Sequence, residues 1–119
     1  MKKNFSPVNY SDALWTAHSY KFGINRDVDF AMARRLYRMC ARSGDRKIAS
    51  IAQYNLGIFY YYGFGVEKNQ KKAFELFMKS VILYPNKDAY LILGDMYRYG
   101  QYVEADDKIA VGLYARAAK

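Results

Sequence analysis

The sequence has one cysteine, one histidine, one tryptophan and two prolines in 119 residues. A lone Cys40 cannot close an intrachain disulfide, and it offers zinc no thiolate cluster. Free cysteines are mostly small buried hydrophobes. His18 has no evident co-ligand nearby, and a metal centre needs three or four. No base–nucleophile set stands out, so neither catalysis nor a cofactor is expected. Gly63-Phe64-Gly65 is followed by no G-K-[ST] and reads as a loop closer, not a phosphate cradle. The start, Met1 to Pro7, is basic but carries no apolar stretch, so it does not read as a secretory signal. No run approaches the length of a transmembrane helix. These absences predict a soluble cytoplasmic protein without membrane contact, or a mature chain whose signal was removed.

What the chain does have is aromatic surface. Thirteen tyrosines and seven phenylalanines sit beside few prolines, a globular composition, and the length suits one domain over residues 1–119. The clearest stretch is Ala52 to Ser80. Leu56, Gly57 and Tyr60 recur at helical spacing, as do Tyr54, Ile58 and Tyr61. Gly57 inside a helix costs about 1 kcal/mol relative to alanine, a cost accepted where another helix comes close. Gly63 and Gly65 end that helix. Val66 is placed to plug the gap between two helices. Asn69 is placed to cap the next, whose inward stripe is Ala73, Leu76, Phe77 and Ser80.

The same signs recur. Gly94, Tyr97, Gly100, Val103, Asp106, Ala110, Leu113 and Tyr114 match Gly57, Tyr60, Gly63, Val66, Asn69, Ala73, Leu76 and Phe77 at one offset. Tyr20, Gly23, Asp29, Ala33, Leu36 and Tyr37 match the same frame upstream. Asn25 and Tyr102 stand where the middle copy has its second loop glycine. Such a period marks a solenoid, and three copies meet the minimum such stacks need. Helices are expected from an Asn9 or Ser11 cap to about Phe22 and from Asp27 or Asp29 to about Ser43. Further helices are expected over about Lys47 to Tyr62, Gln70 to Tyr84, Asn86 to Tyr99, and from Asp106 or Asp107 onward.

The pattern of an N-L-G helix start, Y-x-x-G-x-G-V, then an Asn- or Asp-capped K-A-x-x-L-F/Y helix resembles the Sel-one-like repeat family of tetratricopeptide-like solenoids. The resemblance implies an all-α, right-handed α-solenoid of three helix–loop–helix repeats at about 11–43, 47–84 and 86–119. It also implies a non-catalytic, commonly bacterial scaffold or adaptor that binds a protein or peptide partner and assembles, regulates or neutralises it. In such solenoids the first helices line a concave groove. The positions that would face it are Leu14, His18, Lys21 and Phe22 in the first repeat. Their counterparts are Tyr54, Ile58, Tyr61 and Tyr62 in the second, and Leu91, Asp95, Arg98 and Tyr99 in the third. Exposed tyrosine and arginine are typical interface anchors. The alternative for Tyr54 and Ile58 is burial against the adjacent first helix.

Charge is uneven. Residues 1–46 hold nine Lys/Arg against four Asp/Glu, residues 47–84 five against two, and residues 85–119 five against five. Arg34, Arg38 and Arg42 lie four apart, a ridge that offers phosphate contacts and an alternative nucleic-acid function; a solvated convex face is the plainer reading. Ile109, Val111, Leu113 and Tyr114 cannot all face inward on one helix, so apolar surface is expected at the last repeat, where self-association or a partner would cover it.

Overall fold

Each helix starts on a side chain that takes up a free backbone amide. The structure, a computed structural model, describes residues 8–119, and the basic start read above lies outside the described residues. The described residues form six helices, α1 (Tyr10–Phe22), α2 (Phe30–Cys40), α3 (Arg46–Tyr62), α4 (Gln70–Leu83), α5 (Lys87–Tyr99) and α6 (Asp107–Ala117). Asn9, Asp29, Asp45, Asn69, Asn86 and Asp106 cap them from extended backbone. Their carboxyl or amide oxygens satisfy amides that have no partner inside the helix. Where two caps were open, the structure selects Asn9, Asp29 and Asp106. Helix α2 stops at Cys40 rather than Ser43, because the Arg42 and Ser43 amides turn back to the Met39 and Cys40 carbonyls.

The first helix of each pair ends the same way. Gly23, Gly63 and Gly100 adopt left-handed backbone, each donating back to a carbonyl four residues earlier. Two residues later Asn25, Gly65 and Tyr102 are left-handed as well, with φ of 59°, 68° and 65°. The non-glycine residues therefore keep the loop. Each loop is then closed by one bond from the next cap: Asp29 N–H to Tyr20 O, Asn69 to Tyr60 and Asp106 to Tyr97, at 2.8–2.9 Å. Asparagine visits this region readily, whereas for Tyr102 it costs about 1 kcal/mol. The Tyr102 ring packs 5.5 Å from Phe74, which offsets that cost.

The chain is an all-α solenoid. The pairs α1–α2, α3–α4 and α5–α6 pack as hairpins and stack through α2–α3 and α4–α5 into a rod of 59 × 27 × 25 Å. One core cluster joins Ala17, Ala33, Tyr37 and Cys40 to Ala52, Leu56 and Phe59. The next joins Ile58, Ala73 and Phe77 to Leu93 and Met96. Full burial of Phe59 or Phe77 contributes about 1.5–3 kcal/mol each. Val66 and Val103 seat against these clusters from the loops. A Cβ on Gly57 would meet Phe77 Cε1 at 2.5 Å, and one on Gly94 would meet Tyr114 Cε1 at 2.6 Å. Both glycines thus mark a ring lying against bare helix backbone. Between α3 and α4, Ser50 and Ser80 are fully buried, and each hydroxyl donates to the other's carbonyl at 2.8 Å. In α6, Ala110 and Ala117 face inward while Ile109 and Val111 stay exposed.

Candidate functional site

The first helices leave a cleft of about 500 Å³ between α1, α3 and the start of α5. Helix α1 contributes His18, Lys21 and Phe22, and α3 contributes Lys47, Ser50, Ile51, Tyr54 and Asn55. The α4–α5 connection and the first turn of α5 close one wall with Tyr84, Pro85, Asn86, Lys87 and Asp88. Lys21 and Asn55 join the two repeats: Lys21 Nζ donates to Asn55 Oδ1 at 2.9 Å. Asn55 is itself held by donating from Nδ2 to the Ile51 carbonyl, so its oxygen is fixed toward the lysine.

The electrostatics of the cleft follow from burial. Desolvation pulls the Lys21 ammonium down to about 8, with no carboxylate opposing the shift. The ammonium lies 4.9 Å from the Phe22 ring centroid and 6.0 Å from that of Phe59. His18 is lowered by burial and by the Lys21 charge, so its ring is neutral near pH 7. Its Nδ1 shares a 2.5 Å hydrogen bond with the Tyr37 hydroxyl. Burial pushes the Tyr54 hydroxyl up to about 12, with Asp88 and Tyr62 adding to it.

Of the twelve residues expected along the groove, His18, Lys21, Phe22 and Tyr54 line this cleft. Leu14 packs half-buried against the first core cluster. Ile58 is a correction. It is only 6 % exposed, covered by Leu93 and Met96 of the next repeat, and has no surface to offer a partner. Leu91 is exposed but lies outside the cleft lining. The rest form a second neighbourhood along the C-terminal halves of α3 and α5. There the Tyr61 hydroxyl donates to Gln101 Oε1 at 2.6 Å, and its ring lies 4.9 Å from Tyr62. The Tyr114 hydroxyl donates to Asp95. Arg98 lies 5.2 Å over Tyr99, whose ring is exposed.

The arginine ridge is also corrected. Arg34 is half-buried, and its Nε and Nη1 are out of solvent. Arg35, Arg38 and Arg42 instead share an open depression of about 360 Å³ with Met32, Leu36 and Met39.

Sequence reasoning missed Asn55, Ser50 and the α5 start. One signal was present for Asn55. It occupies the repeat position held by Trp15 and Ile92, so a polar side chain stands where the other copies are apolar. For catalysis, Cys40 is fully buried and its thiol is pushed up to about 11, which keeps it protonated at neutral pH. Among the described residues no group of His, Cys, Asp and Glu could hold a metal ion, and no helix is long and apolar enough to cross a membrane.

A three-pair solenoid with capped second helices and ring-against-glycine contacts defines a helical repeat protein. The Sel1 repeat matches residues 13–45, 50–80 and 87–119, and the chain belongs to this family. The family is one of non-enzymatic repeat scaffolds, and its members generally mediate protein–protein interactions. A sel1-like repeat-containing protein of Acanthamoeba polyphaga mimivirus is 40% identical over 68 residues, which is 57% of this chain and 12% of that protein. Two solved structures superpose over 92% of this chain. One is a Sel1 repeat protein from Oxalobacter formigenes, with TM-score 0.79, 27% identity and 43% of its length covered. The other is a protective antigen of uropathogenic Escherichia coli displaying an SLR fold, with TM-score 0.80, 26% identity and 22% of its length covered. The chain thus spans less than half the length of each.

Proposed function

We propose that this chain is a non-catalytic interaction module that binds a segment of a partner protein in the cleft between α1, α3 and the start of α5. The observation that carries this reading is the make-up of the cleft. Phe22, 62 % exposed, and half-buried Ile51 and Tyr54 supply apolar walls, with one fixed polar pair, Lys21 and Asn55, between them. Interface cores combine such aromatic anchors with a few placed polar groups. The second neighbourhood around Arg98 and Tyr99 extends the same row of first helices and gives a longer segment somewhere to continue. Assembly or regulation of the partner follows from occupying it.

The test is a selection of random dodecapeptides displayed on phage, followed by titration of an enriched peptide into the 15N-labelled protein. Amide shifts are expected at Lys21, Phe22, Ile51, Tyr54, Asn55 and Lys87. Shifts confined to Arg35, Arg38 and Arg42, or a selection that enriches nothing, overturn the reading. Oligonucleotide binding at the arginine face with a steep salt slope would put the phosphate-binding alternative in its place.

A further inference from the structure

We infer that the segment taken up by this cleft is acidic, and that an internal Asp or Glu side chain of the partner pairs with the Lys21 ammonium. This rests on the cleft reading above and names the chemistry of the occupant.

An ammonium such as that of Lys21 has three N–H donors. One goes to Asn55 Oδ1, and that oxygen is held in place by the bond from Asn55 Nδ2 to Ile51 O. Two donors remain, and Lys21 lines the cleft. The half-buried cation has given up water without gaining a carboxylate, as the downward shift by desolvation alone records. A carboxylate entering the cleft would restore what burial removed, and in a partly desolvated site such a charge-assisted bond is stronger than in water.

The remaining charges agree. Lys47 of α3 and Lys87 of α5 stand on the other walls, both exposed, against a single carboxylate, Asp88. His18 is neutral near pH 7 and its Nδ1 is engaged with Tyr37. Three lysines from three helices spread positive charge along the cleft. That arrangement suits a segment bearing more than one carboxylate better than a single chain terminus. Phosphate is the weaker match, because the lining holds no arginine fork to grip a phosphate bidentately. Phe22, Ile51, Tyr54 and Pro85 leave apolar wall on either side of the lysine for flanking aliphatic residues.

The test uses three synthetic heptapeptides that alternate leucine with a second residue: a glutamate peptide blocked at both ends, its glutamine counterpart, and the glutamine peptide with a free C-terminal carboxylate. Binding is followed by 15N chemical shifts at low salt. The glutamate peptide is expected to bind at least about tenfold tighter than either glutamine peptide, with shifts at Lys21 and Asn55. Lys21→Met is expected to reduce that advantage to about threefold or less, with the circular dichroism spectrum unchanged. Should Lys21→Met fold poorly, Lys47→Met with Lys87→Met, both surface changes, should shrink the advantage by about threefold. Equal binding of the glutamate and glutamine peptides in the cleft overturns the inference and leaves the cleft reading standing. A gain carried by the free C-terminus overturns the choice of an internal side chain. Tight binding of the glutamate peptide that shifts only the arginine face overturns both, and absence of any binding overturns the inference.

Discussion

His18 and Tyr37 are joined by a 2.5 Å hydrogen bond across α1 and α2, nineteen positions apart, and Asp95 and Tyr114 are joined across α5 and α6 at the same separation. Between them, the middle repeat places Ile58 and Phe77 at the matching positions, both buried and in one apolar cluster. One site of the repeat therefore alternates polar, apolar, polar along the rod. The alternation follows the neighbours. Ile58 is covered by Leu93 and Met96, whereas His18 borders the open cleft and can keep a polar face.

Converting the first repeat to the chemistry of the second tests this. His18→Ile alone leaves the fully buried Tyr37 hydroxyl unpaired and is expected to cost about 1–3 kcal/mol. Tyr37→Phe alone leaves a half-buried ring nitrogen that water from the cleft can reach, and should cost about 0.5–1.5 kcal/mol. The double variant should cost less than the sum by about 1 kcal/mol. Urea unfolding of the four proteins measures it. Strict additivity would mean that the bond contributes nothing to the pairing of α1 with α2.

Two glycines of similar setting in the sequence should respond with opposite signs. Gly57→Ala drives a Cβ to 2.5 Å from the Phe77 ring and is expected to destabilise by about 1–3 kcal/mol despite better helix propensity. Gly112 lies within α6 with nothing within 4 Å of its Cβ position. Gly112→Ala should stabilise by up to about 1 kcal/mol. Thermal unfolding of both variants decides, and a Gly57→Ala protein that melts no lower than the parent would show that the ring moves aside freely.

The caps, the loop glycines and the Gly57 contact were legible in the sequence because each depends on a few neighbouring residues and recurs with the repeat. What was not legible depends on how one repeat sits against the next. Ile58 shares its repeat position with His18 and Asp95, so no local pattern separates its buried state from theirs. The Lys21–Asn55 bond spans thirty-four positions between two repeats. For the arginines the spacing itself misled. A step of four advances a helix by about 400°, so Arg34 and Arg38 already diverge by roughly 40°, and Arg42 lies beyond the end of α2 at Cys40; only the later two share the open face. Arg34, next to buried Ala33, is drawn inward.

The Lys21 shift gives a pH dependence of definite sign. The folded value is about 8, while an unfolded lysine titrates near ~10.4. Between these values the unfolded chain binds more protons, so the lysine's contribution to stability rises with pH across that window. Cys40 and Tyr54, raised to about 11 and 12, act the other way: their contribution is present below the ordinary thiol and phenol values and is lost as pH climbs through the raised ones. The measurement is therefore the difference in Tm between the parent and Lys21→Met at pH 7 and pH 9.5. With solvent screening of a half-exposed group, the parent should gain on the variant by about 0.5–1 kcal/mol, or about 2–5 °C. A difference that stays flat would mean that the ammonium is fully solvated.

Helix α4 supplies the last prediction, since it ends without a left-handed glycine. Its C-cap, Tyr84, is extended, which leaves the final carbonyls to find partners elsewhere. Arg46, the first residue of α3, reaches back along the hairpin and donates from Nε to Leu83 O at 2.8 Å and from Nη2 to Ile82 O at 3.2 Å. The guanidinium fits the two carbonyls as a fork and also places positive charge at the negative end of the helix dipole. Both bonds are exposed, so their net worth is modest. Arg46→Met is expected to lower stability by about 1 kcal/mol and to speed amide exchange at Tyr84, whose N–H bonds to Ser80 O at 3.2 Å. Arg46→Lys should recover less than half, because an ammonium cannot span two carbonyls in the same plane. Urea unfolding and hydrogen exchange on the three proteins measure this. If the methionine variant matches the parent in both, the end of α4 is held by its packing alone, and the arginine is a surface charge with no capping role.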